Sequence, residues 1–183
     1  ALEQLEERTV GPTLGLDSIE KGKRAGLVGL LIVLVFIVFY YKAFGVIAGI
    51  SLIFNLFCML AILAALNATL TLPGIAGIVL TLGMAIDANV IIYERIKEEL
   101  AKGISLVAAI RDGFMHAFTA IFDANITNAI AAFTLIYFGS GPVRGFGVTL
   151  IVGIITSMFT AIFVTRVILD LLMRSFKLQK LPI

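Results

Sequence analysis

The residues able to do chemistry in this chain are two Asp-Ala-Asn triplets set inside apolar sequence, Ile86-Asp87-Ala88-Asn89-Val90 and Phe122-Asp123-Ala124-Asn125-Ile126. Asp87 belongs to the apolar run Pro73 to Tyr93, which ends abruptly at Glu94-Arg95-Ile96-Lys97-Glu98-Glu99. As a helix that run covers roughly 31 Å, the thickness of a bilayer's hydrocarbon core. A carboxylate held there costs at least about 2.5 kcal/mol on insertion scales, so it belongs against a bundle interior or a wet pathway and not in lipid. Such a group is suited to exchanging a proton, or to binding a cation in place of one. The alternative is a purely structural Asp, fixed by hydrogen bonds from Asn and Thr neighbours.

Residues two apart on a helix point about 200° apart, so each Asp and its following Asn address nearly opposite faces. Asp123 shares its face with Thr119 and Thr127, and Asn125 shares the other with Asn128 and Ala132. A polar seam of Asn89, Thr119, Asn125, Thr127 and Asn128 is therefore expected to support the two carboxylates, in helices covered on both sides. Gly83 lies one turn before Asp87, beside a ridge of Gly74, Gly77, Thr81, Ala85 and Ala88; close backbone approach along it would exclude lipid from the carboxylate. Thr149, Gly153, Thr156 and Thr160 form a similar stripe suited to tight helix contact and interhelical hydrogen bonds. Asn55, four residues after Ser51, gives the second apolar run one polar point.

Other candidates are weaker. His116 opens the fourth apolar run, where an interfacial histidine needs no special role. Arg144, after Gly139-Ser140-Gly141-Pro142, either anchors a turn or touches a partner. The single cysteine, Cys58, leaves no disulfide and no cysteine metal site, so no metal is expected. An intramembrane aspartyl protease would need two Asp residues sharing a proton, and the first Asp here follows Gly-Met-Ala-Ile instead of Gly-x-Gly.

The elements that must position these groups follow from composition. Of 183 residues 60% are hydrophobic and 14% charged, and the net charge is only +2, so a polyanion such as nucleic acid is not an expected partner. Five apolar runs, Ala25 to Tyr41, Ala43 to Leu66, Pro73 to Tyr93, Ala117 to Phe138 and Val143 to Thr165, predict an all-α integral membrane protein: a bundle of five transmembrane helices plus short interfacial helices. Only Lys42 divides the first two, so Tyr40, Tyr41, Lys42 and Phe44 should form a tight turn with aromatic anchors at the interface. Lys102 to Met115 and Val167 to Lys177 have the amphipathic spacing of helices lying on the membrane surface.

Lys42, Arg95, Lys97, Lys102, Arg111, Arg166, Arg174, Lys177 and Lys180 fall on one side of such a bundle, nine of the 14 basic residues, against Arg8, Lys21, Lys23, Arg24 and Arg144 on the other. The excess predicts a cytoplasmic C-terminus and an exterior residue 1–24 segment. The expected organisation is residues 1–24 outside, with a turn at Gly11-Pro12 and a short surface helix near Asp17 and Glu20, residues 25–166 in the membrane, and a cytoplasmic tail over residues 167–183. Because the chain opens at Ala1 without an apolar leader, it reads as a fragment or processed product.

Several long motifs carry a resemblance. Glu7-Arg8-Thr9-Val10-Gly11-Pro12-Thr13-Leu14-Gly15, Leu72-Pro73-Gly74-Ile75-Ala76-Gly77-Ile78-Val79-Leu80-Thr81, Asp87-Ala88-Asn89-Val90, Glu94-Arg95-Ile96-Lys97-Glu98-Glu99-Leu100, Phe122-Asp123-Ala124-Asn125-Ile126-Thr127 and Gly141-Pro142-Val143-Arg144-Gly145-Phe146 together resemble the SecD/SecF family of bacterial protein-export membrane subunits, relatives of RND transporters. The likeness is to the C-terminal transmembrane half of SecD and covers essentially the whole chain; Asn128 stands where Thr would be expected. The resemblance implies half of an RND-type membrane domain, with Leu5 to Thr13 as the last strand of a periplasmic domain. It implies a multi-pass protein of the bacterial inner membrane that works beside SecF, the SecYEG translocon and YajC on exported preproteins. It further implies no cofactor beyond a proton or sodium gradient, coupled to late steps of translocation through Asp87 and Asp123, and no enzymatic catalysis. An ion-coupled small-solute transporter of the RND type would use the same Asp, and a purely structural assembly module would not need it.

Overall fold

The computed structural model describes residues 12–68 and 71–176, with side chains from residue 17 to residue 173. Among these residues the chain is wholly helical: α1 (Pro12–Tyr41), α2 (Ala43–Ala65), α3 (Leu72–Ala101), α4 (Leu106–Phe138) and α5 (Pro142–Phe159), then a π-helical segment (Thr160–Val164) leading into α6 (Thr165–Phe176). Five helical stretches are long and apolar enough to cross a membrane, the last running from Pro142 to Met173 through the π segment. Their outward faces carry Leu31, Val35, Phe39, Phe57, Ile130, Phe133 and Ile155, all exposed, as helices solvated by lipid require.

Local chemistry sets the boundaries. Thr71 and Ser105 cap α3 and α4 by accepting from the Gly74 and Ala108 amides at 3.2 and 3.4 Å. Pro73 and Pro142 occupy first-turn positions, where a missing N–H costs nothing. Between α1 and α2 only Lys42 leaves helical geometry, with φ of 50°. That reversal is so tight that a Cβ on Gly45 would meet the Ile37 carbonyl oxygen at 2.2 Å, which makes glycine obligatory there.

Several expectations are corrected. The separate surface helix near Asp17 does not form: Pro12 starts α1, which runs on unbroken through the first span, and Asp17 and Glu20 pair with Lys21 and Arg24 along it at 2.7 Å, while Gly11 of the expected turn lies outside the described residues. The expected strand Leu5 to Thr13 lies outside the described residues except for Pro12 and Thr13, which are helical; Lys177 and Lys180 also lie outside them. Lys102 to Met115 is not a separate membrane-surface helix. From Leu106 onward it is the first part of α4, and its apolar face, Leu106, Ala109, Ile110 and Phe114, is buried in protein against the extension of α3. The contact is close enough that a Cβ on Gly113 would lie 2.6 Å from Ile96 Cγ1. Tyr41 and Phe44 are not interfacial anchors either. Both are buried, with ring centroids 5.6 and 5.0 Å from that of fully buried Tyr93, while Tyr40 stays exposed.

The main core cluster includes Ile37, Phe44, Ile92, Tyr93, Ile96 and Ile110 toward the basic end of the bundle. Further along, α3 and α5 approach closely through the small-residue stripes. A Cβ on Gly153 would sit 2.3 Å from Thr81 Cγ2, and one on Gly77 would sit 3.1 Å from Thr149 Cγ2. The ridge Gly74, Gly77 and Thr81 thus serves α5, and Gly83, with nothing within 4 Å of its would-be Cβ, encloses nothing.

Candidate functional site

The two Asp-Ala-Asn triplets do put Asp and Asn on opposite faces. Asn89 and Asn125 are buried, whereas Asp87 and Asp123 are exposed on the surface of the bundle. The expectation that both carboxylates are buried within this chain is thus corrected: Ala85, Ala88 and Asn89 take up the buried arc of α3 and leave Asp87 at its edge. Asp87 lines a small cleft of about 50 Å³ between α3 and α4, together with Met84, Ile121, Asn125 and Asn128. Across that cleft Asn128 Nδ2 lies 3.3 Å from Met84 Sδ, and Asn125 Nδ2 donates to the Ile121 carbonyl at 2.8 Å. Neither carboxylate has a hydrogen bond or ion pair to any described side chain.

The depth of the pair is set by the antiparallel course of α3 and α4. Asp87 lies about 10 Å before the charged end of its apolar run and Asp123 about 9 Å after the start of its own, so both carboxylates sit roughly two turns inside the basic end. Thr119 and Thr127 share the exposed face of Asp123, and Thr127 Oγ1 donates to the Asp123 carbonyl at 3.1 Å. The expected seam therefore divides into three. Asn125 and Asn128 belong to the cleft with Asp87, Thr119 and Thr127 to the open face of α4, and Asn89 to a separate interior network.

That network was not visible in the sequence. Thr165, at the exit of the π segment, places Oγ1 2.9 Å from Ser51 Oγ, 2.9 Å from Asn89 Oδ1 and 3.1 Å from the Thr160 carbonyl. With one proton, Thr165 accepts from Ser51 and donates to Asn89 or Thr160, so three fully buried groups on α2, α3 and α6 are tied together. Asn89 Nδ2 completes its bonding on the Ala85 carbonyl at 3.0 Å. Residues 76 and 114 positions apart meet here, which no local spacing encodes. The stripe in α5 behaves differently from expectation: Thr149, Thr156 and Thr160 are buried, but their hydroxyls bond carbonyls of their own helix at 2.9 to 3.1 Å and not a neighbour's.

At the basic end, polar contacts join helix ends. Tyr41 OH donates to Glu94 at 2.8 Å, and Lys97 lies 3.2 Å from the same carboxylate and 4.5 Å from the Tyr41 ring centroid. Buried Glu99 accepts from Lys102 at 2.6 Å and faces His116 Nδ1 at 3.1 Å, which gives His116 a partner where the sequence suggested none. At the opposite end Arg144 is exposed beside a cleft that includes Asn67 and Thr149.

Among the described residues this is a five-span helical unit with two unpaired, exposed carboxylates, Asp87 beside the cleft between α3 and α4 and Asp123 on α4. Comparison with known proteins identifies the class. The family model described as "Protein export membrane protein SecD/SecF, C-terminal" matches residues 1–175, and the chain belongs to that family. Protein translocase subunit SecD of Rickettsia prowazekii is 55% identical over 180 residues, 98% of this chain and 35% of the relative. SecD of Pseudomonas aeruginosa is 56% identical over 174 residues, 94% of this chain and 28% of the relative. The crystal structure of SecDF, a translocon-associated membrane protein from Thermus thermophilus, superposes with a TM-score of 0.90 at 42% identity, covering 96% of this chain and 25% of that one. SecDF in its super-membrane-facing form gives 0.85 at 44% identity, covering 94% of this chain and 23% of that one. The chain thus spans about a third of the length of the curated relatives it matches.

Proposed function

We propose that this chain is the membrane portion of a Sec protein-export subunit and that Asp87 is its principal ion-coupling group, with Asp123 secondary. The observation that carries the reading is the Asp87 carboxylate itself. It lies at membrane depth, unpaired, on an open face, in a cleft that Asn125 and Asn128 make polar. Lipid against that carboxylate would cost at least about 2.5 kcal/mol, so a second helical bundle covers the face, and the cleft becomes an enclosed polar passage. By the family relationship that bundle is SecF, with SecYEG and YajC as neighbours in the same machinery. Proton or sodium passage at Asp87 would then drive movements that help draw exported chains outward, without a cofactor and without enzymatic catalysis.

The orientation that fits is the inner membrane with the basic end, and the tail over residues 167–183, in the cytoplasm. Residues 1–24 then form the end of a periplasmic region, and residues 25–166 form the membrane domain. An RND-type small-solute transporter would use the same carboxylate. Two assays on the full-length protein in vesicles separate the readings. The export subunit should show gradient-stimulated preprotein translocation and no gradient-driven efflux of small solutes; the reverse pattern would mark a small-solute transporter instead.

A further inference from the structure

We propose that the cleft between α4 and the start of α6 binds the phosphodiester headgroup of an anionic phospholipid. The cleft has a volume of about 370 Å³ and is lined by Arg111, Phe114, Met115, Phe118, Ile162 and Arg166. Its two cations come from different elements, and four apolar side chains form the rest. Arg111 uses Nε on Asp112 Oδ1 at 2.9 Å, which leaves its two terminal nitrogens available. Arg166 lies 6.0 Å from the Phe114 ring centroid and has no carboxylate partner among the described residues.

Position decides the occupant. Arg166 is the first charge after the fifth apolar run, and Arg111 lies about 9 Å before the fourth run begins, so the cleft straddles the membrane boundary at the basic end. Phe118 and Ile162 reach from that boundary into the apolar zone, where an acyl chain would continue. A guanidinium fork matches phosphate oxygens bidentately, and basic pockets between spans at this side of a membrane suit anionic headgroups. A soluble anion would make no use of the apolar floor.

The test is native mass spectrometry of the full-length protein released from nanodiscs of mixed phosphatidylglycerol and phosphatidylcholine. The wild type should retain phosphatidylglycerol in preference to phosphatidylcholine. R111Q and R166Q should each weaken that preference about fivefold, and the double variant more than tenfold, while R111K/R166K should keep most of it. Equal retention of the two lipids by the wild type would overturn the proposal, as would an unchanged preference in a folded R111Q/R166Q variant. Displacement of the bound lipid by inorganic phosphate would identify a soluble-anion site and overturn it equally.

Discussion

Gly153→Ala should separate α3 from α5, and its cost can be worked from the contact. The new Cβ would lie 2.3, 2.5 and 2.7 Å from Cγ2, Cβ and Oγ1 of Thr81, where attractive contact between carbon atoms begins at about 3.5 Å. Thr81 cannot turn aside: it is fully buried, β-branched, and its hydroxyl is held by the Ile78 carbonyl at 2.9 Å and Met59 Sδ at 3.4 Å. The helices must therefore part by roughly 1 Å, which overpacked cores register as about 1–3 kcal/mol. In lipid the loss weighs heavily, because apolar helices gain nothing by hiding from an apolar solvent and rely on close contact. Equilibrium unfolding of the full-length protein in mixed detergent micelles measures it. Gly83→Ala is the matched control: its Cβ meets nothing within 4 Å, and the exchange should be neutral or stabilising by up to about 1 kcal/mol. Thr81→Gly combined with Gly153→Ala should cost less than the two single changes added together. Indistinguishable stabilities for Gly153→Ala and Gly83→Ala would refute the proposed contact.

The hydroxyl at Thr165 joins three elements, so Thr165→Val should destabilise the membrane unit by about 0.6–1.7 kcal/mol in the same micelle titration, the range for hydrogen bonds between spans. No change would mean that Ser51 and Asn89 find equivalent partners. Topology is checked by thiol labelling in sealed vesicles after removal of Cys58: cysteines placed at exposed Ser105 and Ser140, on opposite ends of α4, should react from opposite sides. Reaction of both from one side would break the five-span arrangement.

What the sequence made legible is what a single helix determines by itself. Apolar length located the five spans, and the angle between neighbours two apart put Asp87 and Asn89 on opposing faces. It could not say which of those faces this chain covers, because burial depends on elements elsewhere in the chain or in a partner. The same gap explains α4. Arg111 and Asp112 among Leu106, Ala109, Ile110 and Phe114 look like an interfacial helix, since an apolar stripe facing lipid and one facing α3 read alike. Hydroxyl residues misled for a related reason: in the apolar interior Thr149, Thr156 and Thr160 satisfy themselves on carbonyls three and four residues back, whereas Thr81 and Thr165 bond to other elements. The tight approach of Gly153 to Thr81 was legible as a stripe, but its partner was not.

In the function proposed above, Asp87 carries the coupling proton or cation while protein is exported. Asp87→Asn keeps nearly the same volume and hydrogen-bonding reach but removes the charge. Relief of its desolvation should let the variant insert and assemble normally. The direct measurement is preprotein translocation into vesicles carrying the full-length variant, with and without an imposed proton or sodium gradient. Gradient stimulation should vanish in Asp87→Asn, with a smaller loss in Asp123→Asn. Undiminished gradient stimulation in a fully assembled Asp87→Asn complex would contradict it.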